Sequence, residues 1–191
     1  MKKIITLLSV YLFTFFVASA QVNLEWASTY RYTSQEFDYG REIKIDKEGN
    51  VYVGGHSLIN AGQEGITTIL KYDAFGNLIW EFHSAPWDYM EDMVIDNNGN
   101  IFFTGARWNS SSAEWDFLTT KVNANGSAAW SVFYDGNGIG SGWDYAWGIS
   151  IDASGNIYST GHSQGTFNGY DWVTVKYDSS GVEQWVARYE N

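Results

Sequence analysis

The residues best equipped for chemistry in this chain are aromatic rings set beside carboxylates and amides. Phe37-Asp38, Trp87-Asp88 and Trp143-Asp144 form one set; Trp108, Asn109, Trp115-Asp116, Asn168 and Tyr170-Asp171-Trp172 form another. A flat ring stacks on the apolar face of a sugar while a neighbouring carboxylate or amide bonds its hydroxyls; the same pairing anchors peptides. Trp87, Asp88, Trp108, Asn109, Trp115, Asp116, Trp143, Asp144, Asp171 and Trp172 are therefore the candidate ligand-binding residues, for a carbohydrate or a protein partner. Asp38, Asp88, Asp144 and the tyrosines after them, Tyr39, Tyr89 and Tyr145, recur at equivalent places. That recurrence points to a part in holding the structure together as well.

No catalytic residue is expected. His56 and His162 sit in matching Gly-His-Ser segments, and no Ser-His-Asp arrangement can be assembled around them by spacing. Glu91-Asp92 is an adjacent acid pair, but neighbours on a strand point to opposite faces and make a poor hydrolytic dyad. The rival reading is a glycan-processing enzyme, hydrolase or lyase-like, using carboxylates from separate segments such as Asp88 and Asp144. A purely structural repeat is the third reading. The segments Asp46-Lys-Glu-Gly-Asn50, Asp96-Asn-Asn-Gly-Asn100 and Asp152-Ala-Ser-Gly-Asn156 lack the alternating carboxylates of a calcium loop. They suit hairpins, with the aspartate capping backbone N–H groups and the glycine taking a positive φ. No metal site and no cofactor are expected.

The elements that must position these residues show themselves as a repeat. Tyr39 to Asp46, Tyr89 to Asp96 and Tyr145 to Asp152 align, each followed by a Gly-Asn turn and an apolar run. The turn glycines, Gly49, Gly99 and Gly155, are 50 and 56 residues apart. A second landmark begins at Lys71, Lys121 and Lys176, spaced by 50 and 55 residues, and leads to Trp80, Trp130 and Trp185. Each unit reads as four strands: A over 42–45, B over 51–53, C over 66–71 and D around Trp80, with their copies. Residues 25–30, with Trp26, read as an extra leading D strand within 22–34. Four-stranded units of about 40–50 residues are the mark of β-propeller blades. In an up-and-down blade the D–A and B–C connections share one face, which would carry the aromatic and acidic residues named above.

The pattern Trp-x-x-x-Tyr, Asp-Tyr, Ile-x-Ile-Asp-x-x-Gly-Asn-Ile-Tyr-x-Thr-Gly, Asp-x-x-Thr-x-Lys-Tyr-Asp-x-x-Gly resembles the seven-bladed β-propeller (SBBP) repeat family. It is clearest from Asp144 to Tyr189 and runs through the whole chain after the leader. Local departures are Ile66 where Asp116 and Asp171 stand elsewhere, Asn123 for a turn aspartate, and Ser84 for a tyrosine. The resemblance implies an all-β propeller in an exported or cell-surface bacterial protein, and it carries no catalytic residue to transfer.

Composition agrees with many short strands: 18% aromatic, 20 glycines and one proline, Pro86. Lys2 and Lys3, the apolar run from Ile4 to Val17 and Ala18-Ser19-Ala20 predict a secretory signal peptide over residues 1–20. Its removal leaves 171 of 191 residues and moves the net charge from −11 to −13. With no basic cluster, that charge argues against nucleic acid. No later apolar stretch is long enough to span a bilayer, and without cysteine there is no disulfide or thiolate site. The remainder, residues 21–191, divides into units at roughly 35–83, 84–134 and 135–191 after the leading strand. Propellers use about 4–8 blades. An incomplete ring is therefore expected, associating with further blades or another chain, on a secreted or surface protein.

Overall fold

The computed structural model describes residues 24–33, 37–59, 64–136, 142–165 and 169–189. The expected leader, the outer ends of the expected leading strand and Asn168 lie outside the described residues. Twelve strands and no helix are found among those described. They are β1 (Asp38–Ile45), β2 (Val51–Ile59), β3 (Glu64–Tyr72), β4 (Leu78–His83), β5 (Asp88–Ile95) and β6 (Ile101–Asn109). Then follow β7 (Glu114–Val122), β8 (Ala128–Tyr134), β9 (Tyr145–Ile151), β10 (Ile157–Gln164), β11 (Tyr170–Tyr177) and β12 (Glu183–Tyr189). Each consecutive four form one antiparallel meander, giving three four-stranded sheets. The chain is all-β.

Two expectations change. Strands run further than the alternating pattern suggested, so Asp88, Trp108, Asn109 and Trp115 lie on strand ends rather than in loops, while Asp116, Asp171 and Trp172 fall on strands as the expected third strands had them. Their flanks pair fully in register, for example Trp108 with Trp115 and His162 with Trp172. Residues 25–30, expected as a leading strand, carry no strand pairing. Trp26 is instead held by its ring, as described below.

The sheets stack in sequence order: β5 lies against β1, β2 and β3, and β9 against β5, β6 and β7. Burial follows this order. The middle sheet is covered on both faces, so β6 is buried continuously from Ile101 to Ala106. Phe103 and Leu118 join Tyr52, Ile69 and Met93 on the side of the first sheet, while Phe102 and Phe117 join Ile149, Val173 and Val175 on the side of the third. In β10 only alternate residues are buried, because one face has no neighbour. Each large side chain so enclosed contributes about 2 kcal/mol by area.

Three repeated devices hold the register. The six hairpin glycines, Gly49, Gly76, Gly99, Gly126, Gly155 and Gly181, have φ between 80° and 88°. Their aspartates accept the turn's N–H groups, as Asp46 Oδ1 does from Asn50 at 2.8 Å while Oδ2 takes the Asn50 amide. At Asn123 the cap moves: Ser127 N–H goes to Asn125 Oδ1 at 3.0 Å. Second, every first strand bulges, skipping Arg41, Glu91 and Trp147 in the pairing. The facing glycine lies so close that a Cβ on Gly55, Gly105 or Gly161 would sit 1.8 Å from the carbonyl oxygen of Tyr39, Tyr89 or Tyr145.

The third device joins one sheet to the next. Trp80 lies on Gly126 and Trp130 on Gly181; a Cβ on either glycine would come within 2.9 Å of the ring. Trp80 Nε1 also donates to Ala124 O at 3.1 Å. Trp26 lies on Gly76 in the same way and tilts against Tyr72 at 5.9 Å, so the leading segment acts as a fourth strand's tryptophan without being a strand. Inside each sheet the tryptophan meets a second-strand ring topped by a lysine. Trp80, Tyr52 and Lys71 form one such group; Trp130, Phe102 and Lys121, and Trp185, Tyr158 and Lys176, form the others.

The close approach at the bulge yields a test. Gly105→Ala is expected to cost at least about 3 kcal/mol in urea denaturation, because the clash is with backbone. Gly148→Ala, whose Cβ would meet Thr160 Cγ2 at 3.6 Å, is expected to cost under about 1 kcal/mol.

Candidate functional site

The bulges set the site. Turning the first strands at Arg41, Glu91 and Trp147 brings Tyr39, Tyr89 and Tyr145 to one end of the stack, beside the ends of β2, β6 and β10. Rings then follow one another across all three sheets. His56 lies 5.1 Å from Tyr89, Tyr89 5.3 Å from Trp115, and Trp115 5.7 Å from Tyr145. Tyr145 stacks on Trp147 at 5.5 Å and on His162 at 5.9 Å, and His162 meets Tyr170 edge-on at 4.8 Å. Trp108 buttresses Trp115 from the side at 5.4 Å.

Within this belt, Tyr39, His56, Tyr89, Trp115 and Tyr145 surround a cleft of about 290 Å³ that also holds Arg41 and Glu91. The two bulge residues form an ion pair between adjacent first strands. Burial alone pushes the Glu91 carboxyl up, and the Arg41 guanidinium pulls it back. The cleft thus joins flat apolar walls to one positive and one negative group. It is a second cleft, of about 500 Å³ on the open face of the third sheet, that contains Trp147, His162, Tyr170 and Trp172.

The sequence-selected residues divide among different places. Trp115 is in the belt. Trp87 has φ 69° and is fixed by two main-chain hydrogen bonds, its N–H to Gly65 O at 2.7 Å and its O from Trp108 N at 3.0 Å. That left-handed geometry costs a non-glycine residue about 1–3 kcal/mol and marks Trp87 as the pivot of the connection between the first two sheets. Asp88 is buried 3.3 Å from Arg107 Nε. Asp144 is buried too, accepting Gly136 N at 2.7 Å and Gln164 N at 3.1 Å. Asp171 pairs with Arg188 Nη1 at 2.5 Å. Asn109 donates to Asp116 Oδ2 at 3.0 Å. Asp88, Asp144 and Asp171 are therefore tied to protein groups rather than facing one another. Glu91 and Asp92 part as expected of neighbours: Asp92 accepts Ile149 N at 3.0 Å, away from Arg41. Trp143 is 50% exposed and has no ring partner among the described residues.

Trp172 belongs to another category. The residue paired with the position of His162 is Thr67 in the first sheet and Phe117 in the second, both fully buried between sheets. Trp172 at that position is 67% exposed. Its expected place beside the connection between second and third strands groups it with the loop aromatics; the register shows an inter-sheet position left open. Arg41, His56, Tyr89 and Tyr145, conversely, were not singled out as ligand-binding. Tyr89 and Tyr145 recur in Asp-Tyr pairs and His56 in a Gly-His-Ser segment, but nothing in the sequence points to Arg41 as their companion.

No protein-family model matches the chain, and no curated protein matches it either. Among the described residues, no helix is long and apolar enough to cross a membrane.

Two buried groups beside the belt have opposed titrations. Burial, with the Arg41 charge adding to it, pushes the His56 imidazole down to about 4. Burial pushes Asp88 up to about 6, against the pull of Arg107. A lowered histidine supports the fold above its unfolded value and loses that support as pH falls from 6.5 toward 4. A raised aspartate does the reverse, supporting the fold at low pH and losing that support as pH rises from about 4 to 6. Asp88→Asn is therefore expected to lose stability more steeply than the parent protein on acidification through this window, and His56→Gln less steeply. The differences should be on the order of 2 kcal/mol in denaturation at stepped pH.

Proposed function

We propose that this chain is an arc of an SBBP-type β-propeller and works as a non-catalytic binding module, taking a glycan through the cleft where its first strands meet. The observation that carries the binding reading is the aromatic belt of Tyr89, Trp115 and Tyr145 around the Arg41–Glu91 pair. Planar walls suit sugar rings, and a paired guanidinium and carboxylate supply a donor and an acceptor for vicinal hydroxyls. The cleft volume, about 290 Å³, is that of a small ligand or the end of a longer one. The hydrogen bonds that protein donors make to Asp144 and Asp171, and the Arg107 charge beside Asp88, favour binding over hydrolysis.

The propeller reading rests on the direction of stacking. Each sheet offers its fourth-strand tryptophan to the turn glycine of the next, a head-to-tail contact that continues until a ring closes. Ile43 is 61% exposed where its counterpart Met93 is fully buried, and Trp172 and Trp185 are open at the other end. A further repeat unit against the third sheet would cover Trp172 and Trp185. Export to the surface follows from the leader-like residues 1–20 and belongs to the same proposal.

A glycan array probed with the protein lacking residues 1–20 tests the function, with a peptide array in parallel. Binding is expected on the glycan array, weakened at least about 30-fold by Trp115→Ala or Tyr89→Ala, as aromatic anchors lose about 2 kcal/mol or more on truncation. Binding only to peptides would replace the glycan, silence on both arrays would defeat the binding reading, and turnover of a bound sugar would establish an enzyme.

A further inference from the structure

Beside Trp115 the chain gathers negative charge with no basic partner. Glu114 and Asp116, two apart on β7, point to the same face, and Asp135 follows β8. One carboxylate oxygen from each lies within 4.8 Å of the other two. Glu114 and Asp116 are each 7% exposed, whereas Asp135 is open to solvent. Among the described residues no lysine, arginine or histidine pairs with any of the three. Arg107, cross-strand from Asp116, turns instead to Asp88 and the Phe133 ring.

A second observation concerns Asp116 alone. Its Oδ2 accepts the Asn109 amide, but Oδ1 is sealed from solvent and has no hydrogen-bond partner. A buried carboxylate oxygen in that condition is costly unless a cation meets it. The other charges aggravate the cost: burial first, then Asp135, Glu114 and Asp144, pushes the Asp116 carboxyl up, and Asp135 rises for like reasons.

We propose that Glu114, Asp116 and Asp135 form a calcium site. The spacing supports this ion by size. Calcium holds oxygens at about 2.3–2.6 Å, so ligands on its sphere are up to about 5 Å apart, a span that covers the separation found here. The set is all hard oxygen, and solvent at Asp135 leaves room for the waters that complete six to eight ligands. Glu114 Oε2 already accepts Gly142 N at 2.6 Å. An ion at this point would draw together β7 and the segments before and after the connection from β8 to β9, and so brace the wall that carries Trp115. This site is separate from the hairpin aspartates, whose oxygens are taken up by N–H donors.

Calcium titration and terbium luminescence test it on the protein lacking residues 1–20, without any glycan. Terbium bound here lies beside Trp115 and is expected to emit on tryptophan excitation, with calcium displacing it at a Kd on the order of 10⁻⁴ M. Calcium is also expected to raise Tm, more than magnesium does. Asp135→Asn changes an exposed side chain and should fold normally, yet lose at least about tenfold in affinity for the ion. Asp116→Asn should abolish the response, and Asp152→Asn, in a distant hairpin, should keep it. No emission and no Tm shift at millimolar calcium would overturn the proposal, as would an undiminished response in Asp135→Asn.

Discussion

The structure depends on one contact repeated with a direction: a fourth-strand tryptophan laid on the turn glycine of the following sheet. Trp26 on Gly76, Trp80 on Gly126 and Trp130 on Gly181 are the same interaction three times. It requires glycine twice over, for the positive φ of the hairpin and for room beneath the indole. Because donor and acceptor surfaces differ, the contact cannot close on itself in a pair; it passes each sheet to the next. Everything else in the stack, from the doubly buried β6 to the singly buried β10, follows from how many neighbours a sheet has.

The same directionality sorts the aromatic residues, which would otherwise look alike. Trp80 and Trp130, each followed by a sheet, are half-buried and Thr67 and Phe117 fully buried, whereas Trp185 and Trp172 at the same positions of the last described sheet are exposed. The belt of Tyr89, Trp115 and Tyr145 is different, since its rings remain accessible within the completed contacts between sheets. The belt is thus an accessible cleft between stacked sheets, and the end face a stacking position without a following sheet.

How far the sequence could be read is clear from particular residues. The repeat, the four strands per unit, the hairpins and the place of the tryptophan on the fourth strand were legible, because period-2 alternation and Asp-x-x-Gly are local signals. Strand ends were not, since residues such as Arg107 and Asn109 continue the ladder beyond the apolar run, Asn109 against its usual preference for loops. The leading segment was read as a strand from its resemblance to the others; it keeps their tryptophan contact but carries no pairing in its described residues. The bulges at Arg41, Glu91 and Trp147 are not marked by any residue type at those positions, although they build the cleft.

The amino-acid order by itself determined an all-β chain of repeated four-stranded units with aromatic and acidic side chains concentrated at one edge. Those are properties of neighbours along the chain, written in periodicity and turn chemistry. Only the tertiary structure decided which of those side chains meet. Arg41 and Glu91 are 50 residues apart and Trp115 and Tyr145 come from different sheets, so their approach is set by the stacking of sheets. It also decided that Asp144 and Asp171 accept hydrogen bonds from the protein and that Asp88 lies beside the Arg107 charge, while Asp116 keeps a buried oxygen with neither. Whether a carboxylate is satisfied depends on what lies across space from it, and spacing along the chain carries no information about that.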